Sequence, residues 1–349
     1  MSGLSNTRRP ISHPGPRGIR LVVAAAIAVT SAIVVSAAPT AHATVVQFTA
    51  PELLGTPTDT SITVNVVPAA ALSQLWFEYT TDPTFASGVQ ETPHLSVNAG
   101  ATHEVEITGL QPSTQYFYRT RYVAAAGDAN IETRGPFEFH TARERGEPFE
   151  FIVVADSHMG LTGQNIPASL GNATTYNQTN ALINGENADF VIDLGDTFLM
   201  NDATTQARAN EVYMAQREWL GAYSHSTPFF TMGGNHENEE GWNLDDQPTS
   251  KGIHSIKARK EFFPTPVEQG PVNNLSDGGF YTGNTDPLPR VGADPHSPSR
   301  DNLRENYYAF EWGDALFVVL DPFQYTMNLP YDCNTAGEAC NDSSPAEVP

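Results

Sequence analysis

Cysteine is nearly missing from this chain, with two in 349 residues, Cys333 and Cys340, close together in a polar tail. That count excludes a disulfide-stapled scaffold, and no ligand-type neighbours give the pair a metal role. In an exported protein the two would close one small disulfide loop. Positive charge is also scarce: 18 Lys and Arg stand against 40 Asp and Glu, a formal net charge of −22. Such a surface repels polyanions, so no nucleic acid is expected as a partner. Acidic residues are absent from the first 43 positions, which hold Arg8, Arg9, Arg17 and Arg20. The apolar run Leu21 to Ala38 follows, broken by Thr30, Ser31 and Ser36, and then the small-x-small triplet Ala41-His42-Ala43. This is the pattern of a cleaved signal peptide, residues 1–43, and no stable membrane anchor is expected. The mature protein would be secreted, periplasmic or held at the cell surface. Thr7-Arg8-Arg9 hints at twin-arginine export beside the general secretory route. Setting that segment aside leaves 14 basic residues against the 40 acidic.

Residues 44–142 read as short strands at regular spacing. Ser61–Val66, Leu75–Tyr79, His103–Ile107, Gln115–Arg119 and Pro136–His140 each alternate or are aromatic-rich, with turn residues between them. That predicts an all-β antiparallel sandwich, about 100 residues long and able to bury its own core. Leu110-Gln-Pro-Ser-Thr-Gln-Tyr116 with Tyr118 resembles the turn and late-strand signature of fibronectin type III domains. The resemblance makes Tyr116 the corner tyrosine and Trp76 the buried strand tryptophan of the core. Arg143-Glu-Arg-Gly-Glu-Pro148 reads as a polar linker.

From Phe149 onward the pattern changes. Phe149–Ala155 runs into Asp156-Ser157-His158, Asp189–Leu194 into Gly195-Asp196, and Pro228–Met232 into Gly233-Gly234-Asn235-His236-Glu237. Three apolar runs of this kind predict buried parallel strands. In open α/β sheets, ligands gather beyond the carboxyl ends of the strands. Carboxylates, imidazoles and an amide oxygen brought to one rim suit ions such as Mn, Fe or Zn. Glycines before Asp196 and Asn235 allow sharp turns and close backbone approach. Polar residues around 177–186 predict a crossover helix, and Thr204 to Tyr223 a clearer one, with Val212, Tyr213, Ala215, Trp219 and Leu220 toward one face.

These blocks resemble the first three blocks of the calcineurin-like metallophosphoesterases, over about residues 149–321. The resemblance implies an α/β domain at 149–349, an incomplete four-layer αββα sandwich holding the N-terminal part of the family fold. It implies two metal ions: Asp156 and His158 on the first, Asp196 bridging both, and Asn235 on the second. His236 would protonate the leaving group or stabilise the transition state. The implied activity is hydrolysis of a small-molecule phosphoester. The alternative is a truncated, inactive chain that acts only as a binding module; a purely structural metal site is a weaker reading, since it would not need Asn235-His236.

The sequence departs from the family or from its purple acid phosphatase branch in three places, and His158 makes it resemble the broader family more than that branch. Leu199 stands where many relatives carry an acidic residue and purple acid phosphatases carry Tyr, and His158 stands where purple acid phosphatases carry Gly. The family's later lone His and Gly-His-x-His block have no counterpart, because only His254 and His296 follow His236. His254 falls in an expected helix, Ile253–Phe263, and His296 in an expected long loop, 264–304; both read as surface residues rather than ligands. Asn306–Trp312 and Ala315–Asp321 predict a strand pair. The chain therefore reads as cut off before its site is complete, with little or no phosphoesterase activity expected of it.

Overall fold

Ser61–Val66 alternates apolar and polar side chains, and period-two alternation puts every second residue on one face of a strand. The computed structural model, which describes residues 46–161, 171–200, 203–237, 251–266, 280–282 and 308–320, shows the strand where that alternation places it. The strands before the second domain are β1 (Leu53–Gly55), β2 (Ser61–Val66), β3 (Leu72–Thr80), β4 (Gln90–Glu91), β5 (Leu95–Val97), β6 (His103–Thr108), β7 (Gln115–Val123) and β8 (Glu132–His140). They form two antiparallel sheets, β1-β2-β6 and β4-β3-β7-β8, with β5 also paired to β3. Between the sheets lie Ile62, Val64 and Val66 of β2, Leu75, Phe77 and Tyr79 of β3, Ile107 of β6, and Tyr116, Tyr118 and Tyr122 of β7. The Tyr116 hydroxyl accepts the Gln111 backbone N–H at 3.0 Å, which is the expected corner bond.

Trp76 departs from expectation. It is buried at 3% exposure, but it alternates with Leu75 and Phe77 and so belongs to the opposite face of β3, outside the core cluster. There it stacks on His94, ring centroids 4.0 Å apart, and lies under the Arg121 guanidinium. Glu78, two residues on, shares that face and pairs with Arg119 and Arg121.

The second domain alternates strand and helix: β9 (Phe151–Val154), α1 (Ala173–Gly185), β10 (Phe190–Asp193), α2 (Gln206–Ser224), β11 (Phe229–Thr231) and α3 (Lys251–Phe262). β12 (Phe280–Thr282), β13 (Tyr308–Trp312) and β14 (Ala315–Val319) follow. Asn172 caps α1 by accepting the Thr175 N–H at 3.0 Å, and Thr205 caps α2 by accepting that of Arg208 at 3.2 Å. Such caps satisfy N–H groups that a helix cannot pair internally. The three motif strands form a parallel sheet, order β11-β10-β9, with Val191 opposite both Ile152 and Phe229. One face packs on the helices through Val191, Phe229, Val212, Tyr213, Leu220 and Phe262. The other packs Phe190, Ile192 and Phe230 against Tyr308, Phe310 and Trp312 of the antiparallel sheet β12-β13-β14. An αββ stack is thus present among the described residues, three of the four layers expected.

One further expectation changes. The stretch 264–304 is not all loop, since β12 lies within it and pairs with β13; His296 and both cysteines lie outside the described residues. The segment 143–148, expected as a polar linker, is tied to the second domain: Arg143 Nε donates to Asp189 at 2.7 Å, Gly313 N–H donates to the Arg143 carbonyl, and Gly146 N–H donates to Asp314. The two expected domains also share packing. Leu54 sits in the sandwich core while its neighbour Leu53 sits in the second core. Buried Arg217 of α2 donates to the Asn65 side chain and to the carbonyls of Asn65 and Phe262. All described residues fall in one compact unit, Ala43–Pro349.

Candidate metal centre

Each motif strand ends as its chain enters a loop, and the loops are tied edge to edge. Leu194 N–H donates to Val154 O at 2.9 Å, Asp156 N–H to Gly195 O at 3.0 Å, His158 N–H to Asp196 O at 2.8 Å and Met159 N–H to Thr197 O at 2.8 Å. Met232 N–H donates to Asp193 O at 3.0 Å, which brings in the loop after β11. Pairing of the parallel strands therefore continues into the loops that carry the site.

This continuation strains the backbone. Asp156, His158 and Asp196 have φ of 57°, 47° and 53°. Non-glycine residues rarely adopt such angles, and they concentrate at functional sites held by their surroundings. Close approach also requires two glycines. A Cβ on Gly195 would collide with the Gly234 backbone, and one on Gly234 with the Asp196 carboxylate and its backbone nitrogen.

His158, Asp196 and His236 offer ligand atoms that all lie within 4.8 Å of one another. His158 Nε2 is 3.6 Å from Asp196 Oδ2 and 3.9 Å from Asp156 Oδ1. The two imidazoles meet edge to face, centroids 5.1 Å apart. The other Asp196 oxygen, Oδ1, accepts the His236 backbone N–H at 2.8 Å. Asp156 is at the margin, its side chain 69% exposed, and Asn235 is half-buried in the turn beside His236. A cleft of about 240 Å³ opens next to them, between Asp156-Ser157-His158 and the start of α1, at Gly171 and Asn172 before the helix and Thr175 and Tyr176 within it.

His254 is not a surface residue, contrary to expectation. It is buried on α3, with Nδ1 3.1 Å from the Ala203 carbonyl, and takes no part in the cluster. Leu199, the departure from the family pattern, is buried, and its N–H donates to Met159 O.

Two buried acids beside the cluster have no role assigned by the motifs. Asp193 accepts the Thr197 hydroxyl with both oxygens, at 2.6 and 2.7 Å, and the Gly195 N–H at 3.0 Å. Burial pushes its carboxyl up to about 6, against those hydrogen bonds and with help from the charges of Asp156 and Asp196. Glu237 accepts backbone N–H groups from both neighbouring loops. Burial first, and then the charge of Asp193, push it up to about 7. A carboxylate ending an otherwise apolar strand was the available signal for Asp193. For Glu237 it was the acid closing Gly-Asn-His-Glu.

The donor set fits a transition-metal ion. His158 Nε2 is buried without a hydrogen-bond partner although it faces two carboxylates. Buried polar atoms are seldom left unpaired, and imidazole nitrogen with carboxylate oxygen is the chemistry that holds Mn, Fe or Zn.

Residues 149–319 match the family model described as calcineurin-like phosphoesterase. That region belongs to the calcineurin-like phosphoesterases. Residues 35–141, ahead of the phosphoesterase domain, match the model described as purple acid phosphatase, N-terminal domain. A solved structure titled "Structure of PhoD" is similar at 17% identity and a TM-score of 0.55, covering 83% of this chain and 54% of its own. The chain thus spans about half the length of that structure, and the likeness is one of fold. The purple acid phosphatase PPD1 from yellow lupin (Lupinus luteus) seeds is similar at 16% identity and a TM-score of 0.48, covering 76% of this chain and 43% of its own. No curated protein matches the chain.

Proposed function

We propose that the phosphoesterase domain binds metal ions of the Mn, Fe or Zn class and hydrolyses a small-molecule phosphoester. The observation that carries this reading is the convergence of His158, Asp196 and His236 at the carboxyl ends of three parallel strands. His158 and Asp156 would hold a first ion, Asp196 would stand between two, and Asn235 would meet the second. Bound there, such ions supply Lewis-acid activation of water and neutralise charge on the phosphate. The protein residues fix the geometry. The Asp196 carboxylate is held at Oδ1 by the His236 N–H, which leaves Oδ2 toward His158. His236, beside the cluster, would deliver a proton to the leaving oxygen. Its position suits a metal ligand equally, and metal content in His236→Ala separates the two roles: retained metal with lost turnover marks the proton donor.

His254, tied to Ala203, lies outside the cluster. Of the residues named here, the second ion would meet Asp196 and Asn235. Export by way of residues 1–43 is proposed from their sequence alone; no helix among the described residues is long and apolar enough to cross a membrane. The domain limits 44–142 and 149–349 are retained as part of the same proposal.

The test is hydrolysis of an aryl phosphate and an aryl phosphodiester with Mn, Fe or Zn, alongside metal content. Asp196→Ala should lose bound metal and turnover together. Unchanged metal content in Asp196→Ala would remove the assignment, turnover surviving both Asp196→Ala and His236→Ala would remove the hydrolase reading, and metal binding without turnover would leave the binding-module alternative.

A further inference from the structure

We propose that Glu237 is a positioning residue of this centre: its carboxylate sets the backbone that aims Asp196 at the metal site, without itself touching metal or substrate. The inference rests on the metal-centre reading above and extends it to a residue outside the ligand set.

Four backbone N–H groups converge on this one side chain. Asp196 and Gly234 donate to Oε2 at 2.7 and 2.9 Å, while Thr197 and Phe198 donate to Oε1 at 2.7 and 3.3 Å. Three of the donors are consecutive residues of the loop after β10, and the fourth belongs to the loop after β11. One carboxylate thereby joins the two loops that carry Asp196 and His236. A run of amides aimed at a single anion is a backbone nest, and here the anion belongs to the protein and is 6% exposed. The nest includes Asp196 in its left-handed conformation, φ 53°. That conformation costs free energy and persists only where its surroundings impose it.

The consequence reaches the ligand atoms. With the Asp196 and Gly234 amides held on one Glu237 oxygen, the two loops approach closely enough for His236 N–H to reach Asp196 Oδ1. Asp196 Oδ2 is then left facing His158 Nε2. Glu237 itself is absent from the group of clustered ligand atoms. Asp193 supports the same loop from below through Thr197 and Gly195, but it reaches only one loop by side chain. Glutamine cannot replace Glu237: it has one acceptor oxygen, and its NH₂ would confront N–H donors. Aspartate retains the charge and both acceptors on a shorter arm.

The experiment is calorimetric titration of the full chain with Mn²⁺ for wild type, Asp196→Asn, Glu237→Gln and Glu237→Asp, with metal-free melting of each. Glu237→Gln should weaken Mn²⁺ binding at least tenfold, and Glu237→Asp should recover part of that loss. Wild-type affinity in Glu237→Gln, beside lost affinity in Asp196→Asn, would overturn the positioning role while leaving the metal centre intact. Equal Mn²⁺ binding by wild type and Asp196→Asn, or none by wild type, would overturn the metal-centre reading and this inference with it. If Glu237→Gln does not fold, amide exchange in the wild type decides. The amides of Asp196, Thr197, Phe198 and Gly234 should be protected together, and more so with Mn²⁺; exchange that is unprotected or insensitive to Mn²⁺ would overturn the proposal.

Discussion

The sandwich and the parallel sheet both bury strands, but they bury different things. Between the sandwich sheets lie hydrocarbon and aromatic rings, and the one corner hydroxyl reaches a backbone partner five residues away. At the carboxyl ends of β9, β10 and β11 lie three buried acids, Asp193, Asp196 and Glu237, with an unpaired imidazole nitrogen and three non-glycine residues at positive φ. The core between the sandwich sheets follows from alternation to packing, as stable structure tends to do. The second breaks local rules in one place, held there by hydrogen bonds from two neighbouring loops. Positive φ also occurs at Thr56, Phe85, Ser113 and Asn187, but the ligand loops combine it with buried acids and an unpaired imidazole nitrogen.

Substitutions can sharpen or break that contrast. The largest loss of stability should come from the sandwich core. Phe77→Ala, at a fully buried position in the core cluster, should cost about 3–5 kcal/mol, measured by urea unfolding. Trp76→Ala should cost less than Phe77→Ala despite the larger ring, because Trp76 packs on His94 and Arg121 outside the core. Equal losses at the two positions would erase the difference between the faces of β3. Next in size is Gly234→Ala, whose methyl group would meet the Asp196 carboxylate. Overpacking of this kind costs about 1–3 kcal/mol, and here it should also reduce metal binding, which Phe77→Ala should leave unchanged while the protein remains folded.

The smallest effect expected is one of pH, at the junction of the two regions. His140 and His225 line one cleft there, and burial lowers both imidazoles below their ordinary value of 6.5. The folded state prefers them neutral, so their contribution is fully present above pH 6.5 and is lost as pH falls through the folded values. Thermal melting between pH 7.5 and 5.5 should therefore fall slightly, and His225→Gln should flatten part of that slope. An unchanged slope would free the junction from this dependence.

Much of this architecture was legible in residue order. Alternation located β2, β3, β6, β7 and β8, and three apolar runs ending in Asp, His and Asn located the parallel sheet and its rim. What stayed hidden depends on tertiary neighbours. The alternation that marks β3 also puts Trp76 and Glu78 opposite Leu75, Phe77 and Tyr79, yet only the folded β4–β5 region supplies the His94 that covers Trp76. His254 on a polar-looking helix gave no sign of the Ala203 carbonyl awaiting it. Leu53 and Leu54 are adjacent in sequence but serve separate cores, because β1 lies between the sandwich and the helices. The four amides gathered by Glu237 come from loops 40 residues apart, and no local pattern announces them.

The central claim is that three strand ends assemble one metal centre from His158, Asp196 and His236. Anomalous diffraction at the Mn or Zn edge, from crystals grown with that ion, tests it most directly. The account predicts a peak within bonding distance of the Asp196 carboxylate and His158 Nε2, absent in crystals of Asp196→Ala. A fully occupied peak elsewhere with this cluster empty, or a peak that persists in Asp196→Ala, would contradict it.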